Sequence, residues 1–306
     1  MWLHEPPITH PHAAPASTAM SAAELIKIAI AVSLFLAVFS VGLTATLRDA
    51  ALLFTRPGQL VRLVVAMYLL MLVVAIGLAL AFDLHPAVKI TLGALAVSPV
   101  PPILTGNALK AGGESSYTTG MLVASSLLSI VFLPLGLLLC ERVFATPLAL
   151  PVTQVALQVA TSVLIPLAAG MLVRRLVPAA ARFAKQVGMV AMALLVLAFL
   201  AVLVASWPAI HSLIGNGTIL ALAAFTLLGL VSGHVLGGPH PDERAVLSIA
   251  CASRHPGLAI AIAHANFPDQ TLTAPAVLLY LVVMVVATAL YGKWSVRRVH
   301  PQGAAR

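Results

Sequence analysis

Nine stretches of this chain are long and apolar enough to cross a membrane, which requires about 20 consecutive, mostly apolar residues. They are residues 25–47, 59–82, 87–112, 114–140, 150–173, 183–206, 217–237, 245–266 and 272–292. Because lipid cannot hydrogen-bond to the backbone, each stretch is predicted to be helical. The predicted fold class is therefore an all-α polytopic membrane protein with about nine transmembrane helices.

The composition agrees with this class. Of the 306 residues 61% are hydrophobic and 8% are charged, whereas soluble domains contain about 25% charged residues. Only nine residues are acidic, and no metal, nucleotide or nucleophile motif is found in the sequence. We therefore expect no enzyme activity and no cofactor. The net charge of +8 is interpreted as the basic excess of cytoplasmic loops, not as a nucleic-acid site.

The basic residues predict the orientation of the chain. Thirteen fall on one side of the predicted spans: Arg48, Arg56, Arg62, Lys110, Arg174, Arg175, Arg182, Lys185, Arg244, Lys293, Arg297, Arg298 and Arg306. Three fall on the other side: Lys27, Lys89 and Arg142. The larger group is predicted to be cytoplasmic. The C-terminus is then cytoplasmic and the N-terminus outside, in an integral protein of the bacterial inner membrane. Residues 1–22 are predicted to be a disordered tail, and residues 293–306 a cytoplasmic tail.

Two of the nine spans contain helix-breaking residues near their middle. In 87–112 these are Pro99, Pro101 and Pro102, and in 245–266 they are Pro256 and Gly257, which follow Ser253, Arg254 and His255. Proline removes a backbone donor and clashes with the preceding turn, so both helices are predicted to break. Non-helical backbone inside a membrane is tolerated only where protein buries it or where it lines a water-filled cavity.

The two broken spans occupy matching places in two blocks, 59–140 and 217–292. Each lies between two unbroken spans, and the spacing gives the blocks opposite orientations in the membrane. This pattern predicts inverted repeats with two crossing broken helices, which in secondary transporters mark the binding site.

Arg254 is the one Lys or Arg residue that belongs to neither side, because it lies near the middle of a span, and a charge at that depth usually has a function. We consider two roles, an anion-binding or cation-replacing group and a structural clamp. His255 beside it is either a titrating group or a hydrogen-bonding one. Thr105 and Asn107 in the first break either bind an ion or substrate or cap half-helices. Ser125, Ser126 and Ser129 face one side of span 114–140, where they bind a ligand or allow close helix packing.

The order and spacing of several short motifs resemble those of the bile acid:sodium symporter family. They are Gly42-Leu43-Thr44, Arg56-Pro57, the proline-rich break running through Ala111-Gly112-Gly113 into a Ser/Thr-rich helix with Pro134, and Ser253-Arg254-His255-Pro256-Gly257-Leu258-Ala259. The resemblance covers about residues 25–292. It implies a core domain, here 59–140 and 217–292, and a mobile panel of 25–47, 150–173 and 183–206 in a single transporter domain. It also implies sodium-driven transport of an organic anion by alternating access.

The resemblance also implies sodium ligands, and here the sequence departs from the family. Thr105, Asn107, Ser125 and Ser129 match the oxygen-bearing positions of the first crossing. The family's acidic ligand falls at Ala250, and two glutamine ligands fall at Arg254 and near Met67. These residues lack the oxygen atoms that sodium requires. We therefore predict that sodium coupling is weakened or absent, with Arg254 standing in for a bound cation.

These observations predict a secondary active transporter of a small organic anion. A sodium-independent facilitator or channel for organic anions is the alternative. Na⁺ is the only coupling ion suggested by the resemblance, and the expected partners are the substrate and the lipid bilayer. The sequence leaves the substrate's identity and the oligomeric state open.

Overall fold

The structure is a computed structural model that describes residues 21–144 and 151–299. Regular structure in these residues is entirely helical, and eight helical stretches are long and apolar enough to span a membrane. The main helices are α1 (Ala22–Gly42), α2 (Pro57–Ala81), α3 (Pro86–Val97), α4 (Leu104–Lys110), α5 (Ser115–Phe144), α6 (Val152–Leu176), α7 (Pro178–Ala205), α8 (Thr218–Leu236), α9 (Pro241–Ala252), α10 (Pro256–Asn266) and α11 (Thr273–Val299), and two shorter helices lie at Leu47–Ala51 and Trp207–Ser212. The polytopic all-α class is confirmed.

Both predicted helix breaks are present. The first crossing consists of α3 and α4, separated by residues 98–103, which contain the three prolines. The second crossing consists of α9 and α10, separated by residues 253–255. Pro256 occupies the first turn of α10, where a missing N–H costs nothing because the first helical donors have no partner within the helix.

Several predicted boundaries were wrong. The first span was predicted to reach residue 47, but α1 ends at Gly42, and a Thr46–Asp49 capping box begins a separate short helix at Leu47–Ala51. The second crossing begins at Pro241, four residues before the predicted start. α11 continues to Val299, into the segment 293–306 that was predicted to be a cytoplasmic tail, and the cytoplasmic location of this segment stays a prediction.

The N-terminal tail prediction is tested only at its end. Ser21 caps α1 through a capping box with Glu24, so Ser21 and Ala22 belong to the helix start and not to a tail. The rest of the predicted tail, like residues 300–306, lies outside the described residues.

α1 packs against both α6 and α7. Gly42 of α1 meets Gly170 of α6 so closely that a side chain on either would collide with the backbone of the other helix. Small residues allow this approach, which increases van der Waals contact between helices in a membrane.

The two crossings pack against each other in a criss-cross arrangement. α3 contacts α10, and α4 contacts α9, so each half-helix packs against the opposite half of the other crossing. The breaks themselves meet, because the His255 backbone N–H donates to the Pro99 carbonyl at 2.9 Å.

A stripe of glycines holds α8 against α9. Gly229 and Gly233 of α8 and Gly237, which directly follows the helix, recur every four residues and therefore lie on one side. A methyl group on any of them would meet the α9 backbone, at Cys251–Ala252, Ser248 or Arg244 respectively. α8 is thus the scaffold on which the second crossing rests.

Candidate functional site

Arg254 lies at the centre of the crossing and is fully buried, at 0% exposure. Its Nη1 donates to the Ser98 carbonyl at 3.1 Å, and its Nη2 donates to the Met67 carbonyl at 2.6 Å. The guanidinium therefore joins the second crossing to the first and to α2. Its Nε has no hydrogen-bond partner among the described residues.

The oxygens that face Arg254 come from places where the helical hydrogen-bond pattern is interrupted. Ser98 directly follows the last residue of α3, and Met67 lies in a π-helical turn of α2, Val64–Leu70. Such turns are frequent at functional sites. The C-terminal ends of α3 and α9 both lie at this point, and helix C-termini carry partial negative charge. Backbone oxygens and helix C-termini are what transporters use to bind a cation, so Arg254 occupies a cation-binding environment.

Tyr280 of α11 fixes the backbone of the second break. Its hydroxyl accepts from the Arg254 N–H at 2.8 Å and donates to the Ala252 carbonyl at 2.7 Å. This single hydroxyl therefore satisfies one donor and one acceptor that the break leaves without helical partners.

His255 is buried and caps α10, because its Nδ1 accepts from the Leu258 N–H at 3.3 Å. This bond requires the proton to be on Nε2, which has no partner among the described residues. Gly257 packs beside the imidazole ring. In this conformation His255 supports the helix start.

The three predicted serines of α5 are buried on one side of the crossing. Ser125 and Ser129 donate to carbonyls one turn back, those of Leu122 and Ser126, at 3.2 and 2.6 Å. The Ser125 carbonyl accepts from the Tyr68 hydroxyl at 2.5 Å, which links this serine face to the turn that carries Met67. The Ser126 hydroxyl has no hydrogen bond to the described part of the chain. Ser253, the predicted serine of the second break, donates its hydroxyl hydrogen to the Met284 sulfur at 3.5 Å.

Thr105 and Asn107 were predicted to lie in the first break, but both belong to α4. The helix resumes at Leu104, two residues after the last proline of the break. The Thr105 hydroxyl donates to the Pro102 carbonyl at 3.3 Å, and Thr105 also lines a cleft beside the break.

This cleft has a volume of about 390 Å³ and separates α1 and α7 from α4 and α5. Lys110 and Lys185 line it from opposite walls, and no acidic residue is among the described residues that line it. The hydroxyl-bearing residues are Ser40, Thr44, Thr105, Ser115, Thr118 and Thr119. Here we call this space the lysine cleft. Arg254 and His255 do not line it.

Sequence reasoning missed the lysine cleft. Lys110 and Lys185 were used only as markers of the cytoplasmic side, and their convergence depends on packing between distant helices. The available signal was the position of Lys110, at the end of a helix that restarts after a proline break.

Comparison with known proteins agrees with this architecture. A sequence model described as the sodium bile acid symporter family matches residues 31–212. The match includes the first crossing and ends before the second. A protein of Bacillus subtilis strain 168, described as the uncharacterized sodium-dependent transporter YocS, is 28% identical over 263 residues, or 81% of this chain and 77% of the relative. The chain therefore belongs to the sodium bile acid symporter family and is a membrane transporter.

Proposed function

We propose that the protein is a secondary active transporter that moves a small organic anion bound in the lysine cleft. The observation that carries this proposal is the pair Lys110 and Lys185, which face one cleft without an acidic residue among its described lining. Two ammonium groups favour an anion, and the surrounding hydroxyls provide hydrogen bonds that orient it. The proposal includes no catalytic step and no cofactor.

The rest of the lining indicates an amphipathic substrate. Val41, Met189, Met192 and Leu195 supply apolar surface next to the lysines. A volume of about 390 Å³ lies within the range of small-molecule sites, about 300–1,000 Å³. A carboxylate or sulfonate attached to an apolar body fits this combination.

The position of the cleft supports alternating access. One wall belongs to the α1 and α7 pair, and the other belongs to the first crossing and α5. We propose that the bundle of α1, α6 and α7 moves against the crossings and opens the cleft to each side of the membrane in turn.

We further propose that transport does not require sodium. The guanidinium of Arg254 already satisfies the Met67 and Ser98 carbonyls, and it carries the positive charge that the helix C-termini favour. Ala250, in the last turn of α9, has no side-chain oxygen to serve as a ligand. Although the Bacillus relative is described as sodium-dependent, Arg254 provides a tethered cation in this chain.

Counterflow in proteoliposomes tests the transport proposal. Vesicles loaded with taurocholate, pyruvate or methanesulfonate are mixed with the same labelled anion outside. We expect saturable uptake, stimulated by internal anion, for at least one of the three. Lys185→Gln should raise the half-saturation concentration about tenfold, because one charge-assisted interaction contributes about 1.4 kcal/mol, whereas Lys27→Gln, outside the cleft, should not.

Two results would contradict this proposal. Flux that neither saturates nor responds to internal anion would identify a channel. Unchanged half-saturation in both Lys110→Gln and Lys185→Gln would show that the lysine cleft is not the substrate site.

The sodium proposal is tested by the same vesicles with choline in place of sodium. We expect equal uptake rates in the two salts, and no sodium-dependent rise in the thermal unfolding midpoint, since an ion that does not bind cannot stabilise the fold. Uptake that requires sodium would refute the proposal of sodium independence, but it would not contradict the proposal that the lysine cleft binds the substrate.

We also propose insertion in the bacterial inner membrane with the N-terminus outside and the C-terminus in the cytoplasm. The support is the division of loop basic residues, thirteen against three. A green fluorescent protein fused to the C-terminus should fluoresce and an alkaline phosphatase fused there should be inactive. The opposite pair of results would reverse the orientation.

A further inference from the structure

An apolar groove of about 630 Å³ runs between α8 and α11, away from the lysine cleft. Its described lining is almost entirely aliphatic. Leu227 of α8 and Val286 and Leu290 of α11 are 52–64% exposed along it. In a membrane protein, exposed aliphatic surface of this kind is expected to face lipid. The groove is therefore a concave part of the lipid-facing surface.

One end of the groove carries the residues typical of a membrane interface. The His234, Tyr291 and Trp294 rings form a cluster with centroids 5.2–6.0 Å apart. Tyrosine and tryptophan concentrate at the level of the lipid headgroups. From Ile219 to Val231 the groove follows α8 for about 18 Å at 1.5 Å per residue, close to the ~15 Å depth of one leaflet's hydrocarbon.

Basic side chains lie just beyond the aromatic cluster. Arg297 is seven residues after Leu290 and therefore lies on the same face of α11, one turn past Trp294. Both Arg297 and Lys293 are exposed, and the last turns of α11 contain no acidic residue. The groove thus combines an apolar channel of leaflet depth with positive charge at its headgroup end.

We propose that this groove binds one anionic phospholipid, with an acyl chain along α8 and α11 and the phosphate at Arg297. Basic pockets between transmembrane helices bind anionic headgroups in this way. The site is independent of the proposed transport route, because none of the residues that line the groove lines the lysine cleft.

Native mass spectrometry of the purified full-length protein tests this proposal. The protein is incubated with equal amounts of phosphatidylglycerol and phosphatidylcholine that carry the same acyl chains. We expect phosphatidylglycerol to be retained about fivefold more than phosphatidylcholine. This corresponds to about 1 kcal/mol for one basic residue at an anionic lipid. Arg297→Gln should abolish the preference, and Arg142→Gln, an exposed arginine at the end of α5, should retain it.

A second pair of variants tests whether an acyl chain occupies the apolar groove. Val286→Trp fills the groove and should reduce retention of both lipids, whereas Val285→Trp, its equally exposed neighbour outside the groove, should not. Equal retention of the two lipids by wild type, or unchanged retention in Val286→Trp, would overturn the proposal. A dimer that disappears in Val286→Trp would assign the groove to a second copy of the chain and would overturn it as well.

Discussion

The two crossings differ in how their breaks are built. The first unwinds over residues 98–103 and contributes carbonyl oxygens, those of Ser98 and Pro99, to the contact. The second unwinds only over residues 253–255 and contributes donors, the Arg254 guanidinium and the His255 N–H. Acceptors on one side thus meet donors on the other. A contact of this kind closes without an added ion, whereas two breaks that both present oxygens need a cation between them.

Removing the charged donor should have the largest effect. Arg254→Met keeps an extended side chain but leaves the Met67 and Ser98 carbonyls buried without donors. We expect the free energy of unfolding to fall by roughly 3–6 kcal/mol, from two charge-assisted bonds of about 1.5–3 kcal/mol each. Thermal unfolding in detergent measures the change, and Arg142→Met is the exposed control. A loss no larger than the control's would show that Arg254 does not join the crossings.

The second break can also be changed so that it presents oxygen atoms, as the first break does. In the double variant Ala250→Glu with Arg254→Gln, the second break gains a carboxylate and an amide oxygen. We expect sodium to raise the unfolding midpoint of this variant and not that of wild type. If sodium stabilises neither protein, the carbonyls around Arg254 are not a cation-binding environment.

The scaffold of the second crossing should be the next most sensitive feature. Gly233→Ala places a methyl group against the Ser248 backbone, and α8 and α9 must separate, at a cost of roughly 2–3 kcal/mol. Gly93→Ala in α3 of the first crossing meets nothing within 4 Å and should stabilise its helix by about 0.5 kcal/mol. Urea or thermal unfolding of both variants gives the comparison, and equal effects would contradict it.

Two tyrosines test how much the stability of the second break, and that of the contact between α2 and α5, depends on a single hydroxyl. Tyr280→Phe removes one acceptor and one donor from the second break and should lower stability by about 1–2 kcal/mol. Tyr68→Phe removes only the bond to the Ser125 carbonyl and should cost about 1 kcal/mol or less. Thermal unfolding midpoints of the pair rank the two effects, and a reversed order would indicate that the contact between α2 and α5 depends more on its hydroxyl than the second break does.

The smallest effect is expected in the first break. Pro101→Ala leaves Pro99 and Pro102 in place, so the helix remains interrupted. Stability should fall by less than about 1 kcal/mol, through the greater freedom of the unfolded chain. A larger loss in thermal unfolding would show that Pro101 itself shapes the carbonyl-bearing break.

The sequence was sufficient to predict the breaks because their cause is local. Proline and glycine act on the backbone within one or two residues, so Pro99–Pro102 and Pro256-Gly257 predicted where the helices stop. Where Thr105 and Asn107 would fall depended on how soon the helix resumes. This is decided by packing of α4 against α5 and α9, and the prediction was wrong there.

The contacts that define the site could not be predicted from patterns alone. Arg254 was identified because a charge within a span is unusual, but its partners are backbone carbonyls, which every residue possesses. The π-helical turn that presents Met67 has no sequence signature. Likewise, nothing in the sequence distinguishes Lys110 and Lys185 from other lysines near the ends of predicted spans. They face one cleft only because α1, α4, α5 and α7 pack around it.

The glycine stripe of α8 has a consequence for how the protein is made. The stretch Pro241–Asn266 has the lowest mean hydropathy of the eight candidate spans and is the most enclosed, since 78% of its most apolar 18-residue segment is buried. Arginine at the centre of a span opposes insertion by about 2.5–3.5 kcal/mol. α8 leaves the ribosome just before this stretch and offers it a close-fitting surface. We therefore expect the second crossing to enter the bilayer together with α8, so that Gly229, Gly233 and Gly237 matter during biosynthesis before they matter in the finished protein.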